Sequence, residues 1–323
     1  MCEIAFFTEE RFHLQTQEDE MRFSFFFAAL LAATVTQGAS AASKAAITPL
    51  PPKQAVASED AQGSGNGGVI AFTFDIYGTT NPLAQAMPAL ASHQMPATVF
   101  LTTGSIGQVG SPTWDDVKGW IDKGFEVDSR GDSNKTLVTA GITDDAVRVQ
   151  IIASAAKLAR FTGVYPTAFS AAFGKTTDHV TDLVRPYYKL NVLTDDAGSG
   201  PKVGFNDLTK LSPYRVSRLM VTNQTAASDL CEDIAWTARG KRLLVIGFGN
   251  IEATASATPG WYDVSADNFN QILDCTAALV QSGSLKVVTL SDALSMATLA
   301  PPPPPKPKAP APAPAPAATV APK

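Results

Sequence analysis

Apolar residues fall into eight short runs along the central part of this chain, separated by stretches with helical periodicity. The runs cover residues 69–75, 97–102, 125–128, 166–169, 188–193, 216–221, 243–248 and 285–289. Short apolar runs that alternate with amphipathic helices are typical of buried parallel strands. The pattern therefore predicts an α/β protein whose strands close into a barrel or open into a doubly wound sheet.

Two of the intervening helices carry clear start and stop signals. Thr143 precedes two aspartates and Gly163 follows the last apolar position, as expected for a helix between an N-cap and a C-terminal glycine. Its apolar side chains share one face, at Val147, Ile151, Ala155 and Leu158. A second helix is predicted from about Ser265 to Ser282, with Phe269, Ile272 and Leu279 on its inner side.

The two ends of the chain differ in composition from this central part. Residues 42–66 mix Pro, Ala, Ser and Gly, and residues 298–323 are mostly Pro and Ala. Such segments bury too little apolar surface to offset the loss of chain entropy. We therefore expect a single domain over residues 67–297, with a flexible linker before it and a disordered tail after it. Alternating Ala and Pro favours an extended polyproline-II spacer over a partner-binding motif.

The first 41 residues contain the pattern of an export signal. A basic residue follows Met21, a short apolar stretch comes next, and a small-residue cleavage site ends at Ala41. This predicts a signal peptide over residues 21–41 and a secreted, extracellular or periplasmic protein without a transmembrane segment in its mature form. The acidic residues before Met21 are atypical of such signals, which suggests that translation begins at Met21.

Removal of this leader changes the charge balance and the cysteine count. It leaves 24 acidic and 23 basic residues, with no Lys/Arg cluster in the central part. A near-neutral chain has no electrostatic reason to bind nucleic acid or anionic membranes, and neutral glycans fit better. Cys231 and Cys275 then form an even pair in an oxidising compartment, so we expect a disulfide, with two buried thiols as the alternative.

Candidate chemistry lies at the ends of the predicted strands. Residues 73–78 read Thr-Phe-Asp-Ile-Tyr-Gly, and residues 124–134 read Gly-Phe-Glu-Val-Asp-Ser-Arg-Gly-Asp-Ser-Asn. Together with the strand-like segment 97–104, they resemble the polysaccharide deacetylase domain (NodB homology, carbohydrate esterase family 4). The resemblance extends over about residues 67–297 and implies an irregular (β/α) barrel, with its site at the carboxyl ends of the strands.

The metal-binding positions of that family are changed in this chain. The family pattern T-F-D-D-G supplies a general base and then a metal ligand; here Asp75 keeps the base position and Ile76 replaces the ligand. In the family pattern G-H-E-[IV]-x-[SN]-H-T-x-x-H, the last two histidines complete the metal site. Arg130 and Asn134 occupy those positions.

Two further positions of the resemblance are also altered. Ser170 stands where the family segment R-P-P-Y-G has its arginine. Gly249, or Gly247 in a shifted alignment, stands where a late strand normally ends in the general-acid histidine. Of the six polar positions compared, Asp75 alone is retained.

These replacements predict loss of the family's hydrolytic chemistry. The family uses a divalent metal such as zinc to lower the pKa of bound water, together with a carboxylate base and an imidazole acid. Isoleucine has no lone pair and a guanidinium is a permanent cation, so we expect no metal cofactor here. Arg130 is expected to pair with Asp75 instead, and the alternative is that Asp75 caps the following turn.

Aromatic residues after the late strand are candidates for glycan contact. Trp261 and Tyr262 lie in a predicted loop, where an aromatic ring can stack on a sugar face. Loop aromatics are more often simple packing residues, so this assignment depends on their position relative to the cleft.

Three hypotheses about function follow. The first is a non-catalytic deacetylase-like domain that binds a polysaccharide containing N-acetylated amino sugars, or a protein partner. The second is an active N-deacetylase with an unusual metal site built from Asp75, Asp128, Asp132 or His179. The third is a scaffold whose proline-rich tail contacts the cell wall or a partner. Loss of the metal ligands favours the first.

Overall fold

Seven parallel strands close into a barrel in the computed structural model, which describes residues 67–78, 81–196, 203–253 and 258–301. The barrel strands are β1 (Gly68–Ile76), β2 (Thr98–Leu101), β3 (Glu126–Ser129), β4 (Ala168–Ser170), β5 (Leu190–Asp196), β7 (Val216–Met220) and β8 (Arg242–Phe248). The barrel closes because residues 69–74 of β1 pair in parallel register with residues 243–248 of β8. The pattern of apolar runs allowed a barrel or an open sheet, and the family resemblance selected the barrel correctly.

Among the described residues, four short strands lie outside the closed barrel. Strand β11 (Leu285–Val287) adds to β1 in parallel, and β6 (Phe205–Asp207) adds to β8 in antiparallel orientation. Strands β9 (Asn250–Glu252) and β10 (Asp263–Ser265) form a separate parallel pair. The apolar runs indicated β11 but not β6, β9 or β10, because each of these three strands contains a single apolar residue.

The described residues form seven α-helices, six of which lie between strands in the sequence. They are α1 (Leu83–Ser92), α2 (Trp114–Asp122), α3 (Asp144–Thr162), α4 (Asp178–Val184), α5 (Ala227–Thr237), α6 (Ala266–Gln281) and α7 (Leu290–Met296). Short 3-10 turns span Thr103–Ser105 and Ala172–Gly174. Within the part of the chain that the structure describes, none of the helices is long and apolar enough to cross a membrane.

The two helices predicted from sequence are confirmed, together with their caps. The side chain of Thr143 accepts a hydrogen bond from the backbone N–H of Ala146, and Gly163 ends α3 with a positive φ of 76°. Ser265 caps α6 in the same way, through the N–H of Asn268. Both N-caps satisfy backbone donors that would otherwise lack a partner in the first turn.

Alternation along β1 sends its side chains into two different cores. Ile70, Phe72, Phe74 and Ile76 face outward and pack with residues of α1, α5 and α6. Val69 and Ala71 face the barrel interior, where the apolar cluster also includes two residues of α7 at the amino end of the barrel. Because side chains alternate along a strand, Thr73 and Asp75 continue the interior face towards its carboxyl end.

The packed part of the chain extends past the boundary predicted at residue 297. Thr298 donates a backbone hydrogen bond to Leu208, and Leu211 exchanges backbone bonds with Thr298 and Ala300. The packed chain therefore continues to at least Ala300. The predicted leader (1–41), the linker (42–66) and residues 302–323 of the predicted tail lie outside the described residues.

A disulfide joins helices α5 and α6, as predicted. Cys231 and Cys275 are bonded, and their Cα atoms lie 6.0 Å apart. The two cysteines are 44 residues apart in sequence. A cross-link over this length restricts the unfolded chain and thereby stabilises the folded state.

Replacing both cysteines (Cys231→Ala with Cys275→Ala) should lower the free energy of unfolding by about 2–4 kcal/mol. Urea denaturation of the wild type and the double variant measures this difference. A reducing agent should destabilise the wild type to a similar extent and leave the variant unchanged. Equal stability of oxidised wild type and variant would show that the cross-link contributes nothing.

Candidate functional site

Asp75, at the carboxyl end of β1, lies between two buried guanidinium groups. Its side chain is almost fully buried, with the residue 6% exposed. Arg130 donates from Nε to Oδ2 of Asp75 at 3.2 Å. Arg218 donates from Nη1 to Oδ1 at 2.7 Å and from Nη2 to Oδ2 at 3.2 Å. The predicted pair of Arg130 with Asp75 is present, and Arg218 is a second partner that sequence reasoning missed.

Arg218 holds the carboxylate in bidentate fashion from the middle of β7. The residue is 0% exposed, and its guanidinium lies over the ring of Phe100, 5.1 Å from the centroid. Its remaining donors reach the hydroxyl of Thr194 at 2.8 and 3.0 Å and that of Ser170 at 3.0 Å. A signal for this role was available, since a lone arginine in an apolar strand must find a buried partner.

A glycine in β8 makes room for Arg218. A Cβ built on Gly247 would overlap Sδ of Met220 and would lie 3.2 Å from Cδ of Arg218. At Gly249, a Cβ would lie 2.7 Å from Cβ of Tyr262. Both glycines considered for the lost histidine position therefore allow close packing, and neither supplies a proton donor from a side chain.

Arg130 also bonds to the residue that replaces the other ligand histidine. Its Nη1 donates to Oδ1 of Asn134 at 2.6 Å and to Oγ1 of Thr102 at 3.2 Å. Its guanidinium lies 4.6 Å from the ring centroid of Tyr77 and 5.9 Å from that of Phe173. The substituted positions of the third strand thus form a hydrogen-bonded pair instead of a pair of metal ligands.

Four of the predicted site residues belong to one network, and Ile76 does not. Asp75, Arg130, Asn134 and Ser170 are linked to one another through the two guanidinium groups. Ile76 is fully buried in the outer apolar core between the barrel and its helices. Its position along β1 directs Ile76 to the outer face, away from Asp75.

The donor set around Asp75 does not fit a divalent metal. The positions that should supply ligands hold an aliphatic side chain, a permanent cation and an amide, at Ile76, Arg130 and Asn134. Two guanidinium groups also occupy the carboxylate oxygens that would face a cation. Across the described ranges, no group of three or more His, Cys, Asp or Glu residues is placed to hold a metal ion.

The other three residues of the alternative metal site are not brought together with Asp75. Asp128 accepts two backbone N–H groups at the start of β4. Asp132 pairs with Lys157 at 2.6 Å, and Nε2 of His179 lies 2.7 Å from Oδ1 of Asp144 on the surface. Each of these groups already has a partner of its own, and the structure does not bring them together around Asp75.

A cleft of about 650 Å³ opens above the Asp75 cluster. Its lining includes charged residues, three aromatic rings and the glycine at the end of β8: Asp75, Arg130, Lys175, Asp195, Tyr77, Phe173, Tyr262 and Gly249. Of the two predicted glycan-contact residues, Tyr262 belongs to this lining. Trp261 is 51% exposed and is not among the described residues that line the cleft.

The electrostatics of the cluster make Asp75 a weak base. Burial alone would raise the pKa of Asp75, but the charges of Arg218 and Arg130 and their hydrogen bonds outweigh it, so the pKa is lowered. A carboxylate with a lowered pKa and both oxygens engaged has little tendency to accept a proton. The cluster therefore favours an Asp75 carboxylate that stays ionised over one that accepts and releases a proton.

Replacing Arg218 with Met should lower the free energy of unfolding by about 3–5 kcal/mol, because it removes the bidentate partner of a buried carboxylate. Arg215→Met provides a matched control, since that side chain is mostly exposed in an ion pair with Asp178. The control should change stability by no more than about 0.5 kcal/mol. Urea denaturation of both variants checks this, and equal effects would contradict a special role for Arg218.

Asp128 should make stability depend on pH in the opposite sense to an aspartate whose pKa is lowered on folding. Burial, with a contribution from the nearby Glu126 charge, raises the pKa of Asp128 well above its usual range. The protonated form therefore stabilises the fold fully below the unfolded-state pKa of about 3.9, and this contribution disappears as pH rises through the folded pKa. Relative to Asp128→Asn, the wild type should lose stability as pH increases from 4. Urea titrations over that range that gave a constant difference would contradict this.

Comparison with known proteins places the fold in one family. A family model described as polysaccharide deacetylase matches residues 62–188, which include Asp75, Arg130 and Ser170 but end before Arg218 and Gly249. No curated protein sequence matches the chain.

Three solved structures with similar folds are distant in sequence from this chain. The Xyl-CE4 domain of a multidomain xylanase from the hindgut metagenome of Trinervitermes trinervoides is 13% identical, covers 71% of this chain and 91% of its own, and has a TM-score of 0.49. A family 4 carbohydrate esterase from Streptomyces lividans, in complex with acetate, is 15% identical over 74% and 100%, with a TM-score of 0.48. A mutant of a CE4 family pseudoenzyme is 13% identical over 71% and 68%, with a TM-score of 0.46.

Because every one of these TM-scores is below 0.5, the assignment depends on the family model. That match covers the first four strands of the closed parallel barrel, β1 to β4. It also includes Asp75, Arg130 and Ser170 of the Asp75 cluster, but not Arg218. Residues 62–188 therefore belong to a polysaccharide deacetylase domain.

Proposed function

We propose that this protein is a secreted, non-catalytic relative of polysaccharide deacetylases that binds glycan in the cleft above Asp75. The proposal rests on one observation: the guanidinium groups of Arg130 and Arg218 donate hydrogen bonds to both carboxylate oxygens of Asp75. In this arrangement the one retained catalytic position serves as a structural anion.

Amide hydrolysis in this family needs a general base, a set of metal ligands and a general acid, and the residues at these positions are not suited to the three roles. The base position is occupied by a carboxylate whose pKa is lowered, and the ligand positions hold no set of donors that fits a metal. The position of the general acid is a glycine, whether Gly247 or Gly249 is aligned with it. Without an activated water, a base and an acid, the expected outcome is binding without turnover.

The cleft keeps features that suit a sugar ligand. Its volume of about 650 Å³ lies within the range of small-molecule and oligosaccharide pockets. The rings of Tyr77, Phe173 and Tyr262 line it, and an aromatic face can stack on the apolar face of a sugar. Since the family acts on N-acetylated polysaccharides, an amino-sugar polymer of a cell wall or matrix is the ligand class we propose.

Export of the protein is supported by two independent features. Residues 21–41 have the pattern of a signal peptide. The bond between Cys231 and Cys275 fits an oxidising compartment, where disulfides persist.

The test combines metal content, turnover and binding in the full chain. We expect no tightly bound zinc and no release of acetate from acetylated amino-sugar oligomers, together with measurable binding of the same oligomers by calorimetry. Tyr262→Ala should weaken binding by about tenfold, because it removes a stacking ring from the cleft. Tyr165→Ala is the matched control: this exposed tyrosine is not part of the cleft lining, and affinity should be unchanged.

Two results would overturn the proposal. Stoichiometric zinc with acetate release would show an active deacetylase. Absence of binding to any amino-sugar oligomer would remove glycan as the ligand and leave a protein partner as the remaining candidate.

A further inference from the structure

The buried charged side chains at the bottom of the cleft have a net positive charge. Arg130 and Arg218 are both permanently protonated, and they share the single negative charge of Asp75. The other charged residues that line the cleft, Lys175 and Asp195, offset each other. One positive charge therefore remains in a cluster whose three members are at most 6% exposed.

The hydrogen-bond donors locate this excess charge on Arg130. All three nitrogens of Arg218 donate to Asp75 or to hydroxyl groups around it. In Arg130, Nε and Nη1 are engaged, whereas Nη2 has no acceptor among the described residues. This nitrogen is also not one of the buried polar atoms that are sealed from solvent without a partner. Since Arg130 lines the cleft, its Nη2 is a charged donor that remains available to a ligand there.

The surroundings strengthen the attraction of this donor for an anion. Arg130 is 5% exposed and lies between the rings of Tyr77 and Phe173 at 4.6 and 5.9 Å. Burial of the guanidinium lowers the local dielectric, so an ion pair formed here is worth more than one on the surface. An excess of one unit of charge matches a monoanion better than a doubly charged phosphate.

We propose that the cleft selects glycans that carry a carboxylate, which accepts a hydrogen bond from Nη2 of Arg130. This inference rests on the proposed glycan-binding function and names the ligand class within it: an acidic sugar, with its carboxylate in a uronic acid or on a side group of an amino sugar. Three aromatic rings in the lining favour a sugar over a peptide carboxylate, because they provide faces on which a ring can stack.

Matched sugar pairs test the selectivity on the unaltered full chain. Glucuronic acid oligomers are compared with glucose oligomers, and N-acetylmuramic acid with N-acetylglucosamine, by calorimetry. The pair that gives the larger ratio identifies the source of the carboxylate. In at least one pair the acidic member should bind tenfold or more tightly, as expected for a charge-assisted hydrogen bond. The ratio should fall with added salt.

Arg130→Met tests whether Arg130 is the origin of the preference. The variant keeps the bidentate pair of Asp75 with Arg218, which is neutral overall, so the fold should persist and circular dichroism checks this. The preference for the acidic sugar, measured as the ratio of its affinity to that of the matched neutral sugar in the same variant, should fall to about one. Arg148→Met is the matched control, since it removes the same charge from the surface of α3, and it should leave the preference unchanged.

The outcomes separate this inference from the proposed function. Equal binding of acidic and neutral sugars would overturn the carboxylate inference and leave glycan binding intact. Binding of neither sugar would remove both. Acetate or an acidic peptide that bound as tightly as the acidic sugar would also overturn it, because the sugar ring would then contribute nothing. A preference that survives in Arg130→Met would assign the anion site to another residue and overturn the role of Arg130.

Discussion

The carboxylate of Asp75, buried between Arg130 and Arg218, is the interaction on which the upper layer of the barrel depends. A buried carboxylate without partners would be protonated or would destabilise the fold, and two guanidinium groups hold it ionised. In turn, the fully buried Arg218 needs that carboxylate and the hydroxyls of Ser170 and Thr194 to satisfy its donors. Five barrel elements are thereby tied together at the end of the barrel where the family places its chemistry.

The geometry of the barrel makes this cluster compatible with a packed interior. Phe100 supplies an apolar floor beneath the guanidinium of Arg218, and Gly247 leaves the space that its stem occupies. Below this level the interior is apolar and α7 closes it at the amino end. The polar layer is therefore confined to one level, directly below an open cleft, so a charge that is not neutralised there acts on whatever enters the cleft.

Loss of a metal site and gain of an anion site are two consequences of the same substitutions. A neutral histidine binds a metal ion through the lone pair of a ring nitrogen. An arginine at the same position is a permanent cation whose N–H groups donate hydrogen bonds. The ligand that such a site favours changes accordingly, from a divalent cation with its activated water to an anion. This physical inversion connects the proposed loss of hydrolysis with the proposed selection of acidic sugars.

The sequence by itself determined the local features: each of the eight apolar runs overlaps a strand, the caps of α3 and α6 follow from their residues, and Cys231 pairs with Cys275. It also led to the pair of Arg130 with Asp75, through the family pattern. Only the tertiary structure decided that Arg218 is the bidentate partner, since 143 residues separate it from Asp75. It likewise decided that Ile76 faces outward and that Asp128, Asp132 and His179 have separate partners. Periodicity and capping depend on neighbours along the chain, whereas the contacts of a charged side chain depend on which strands the barrel closure places side by side.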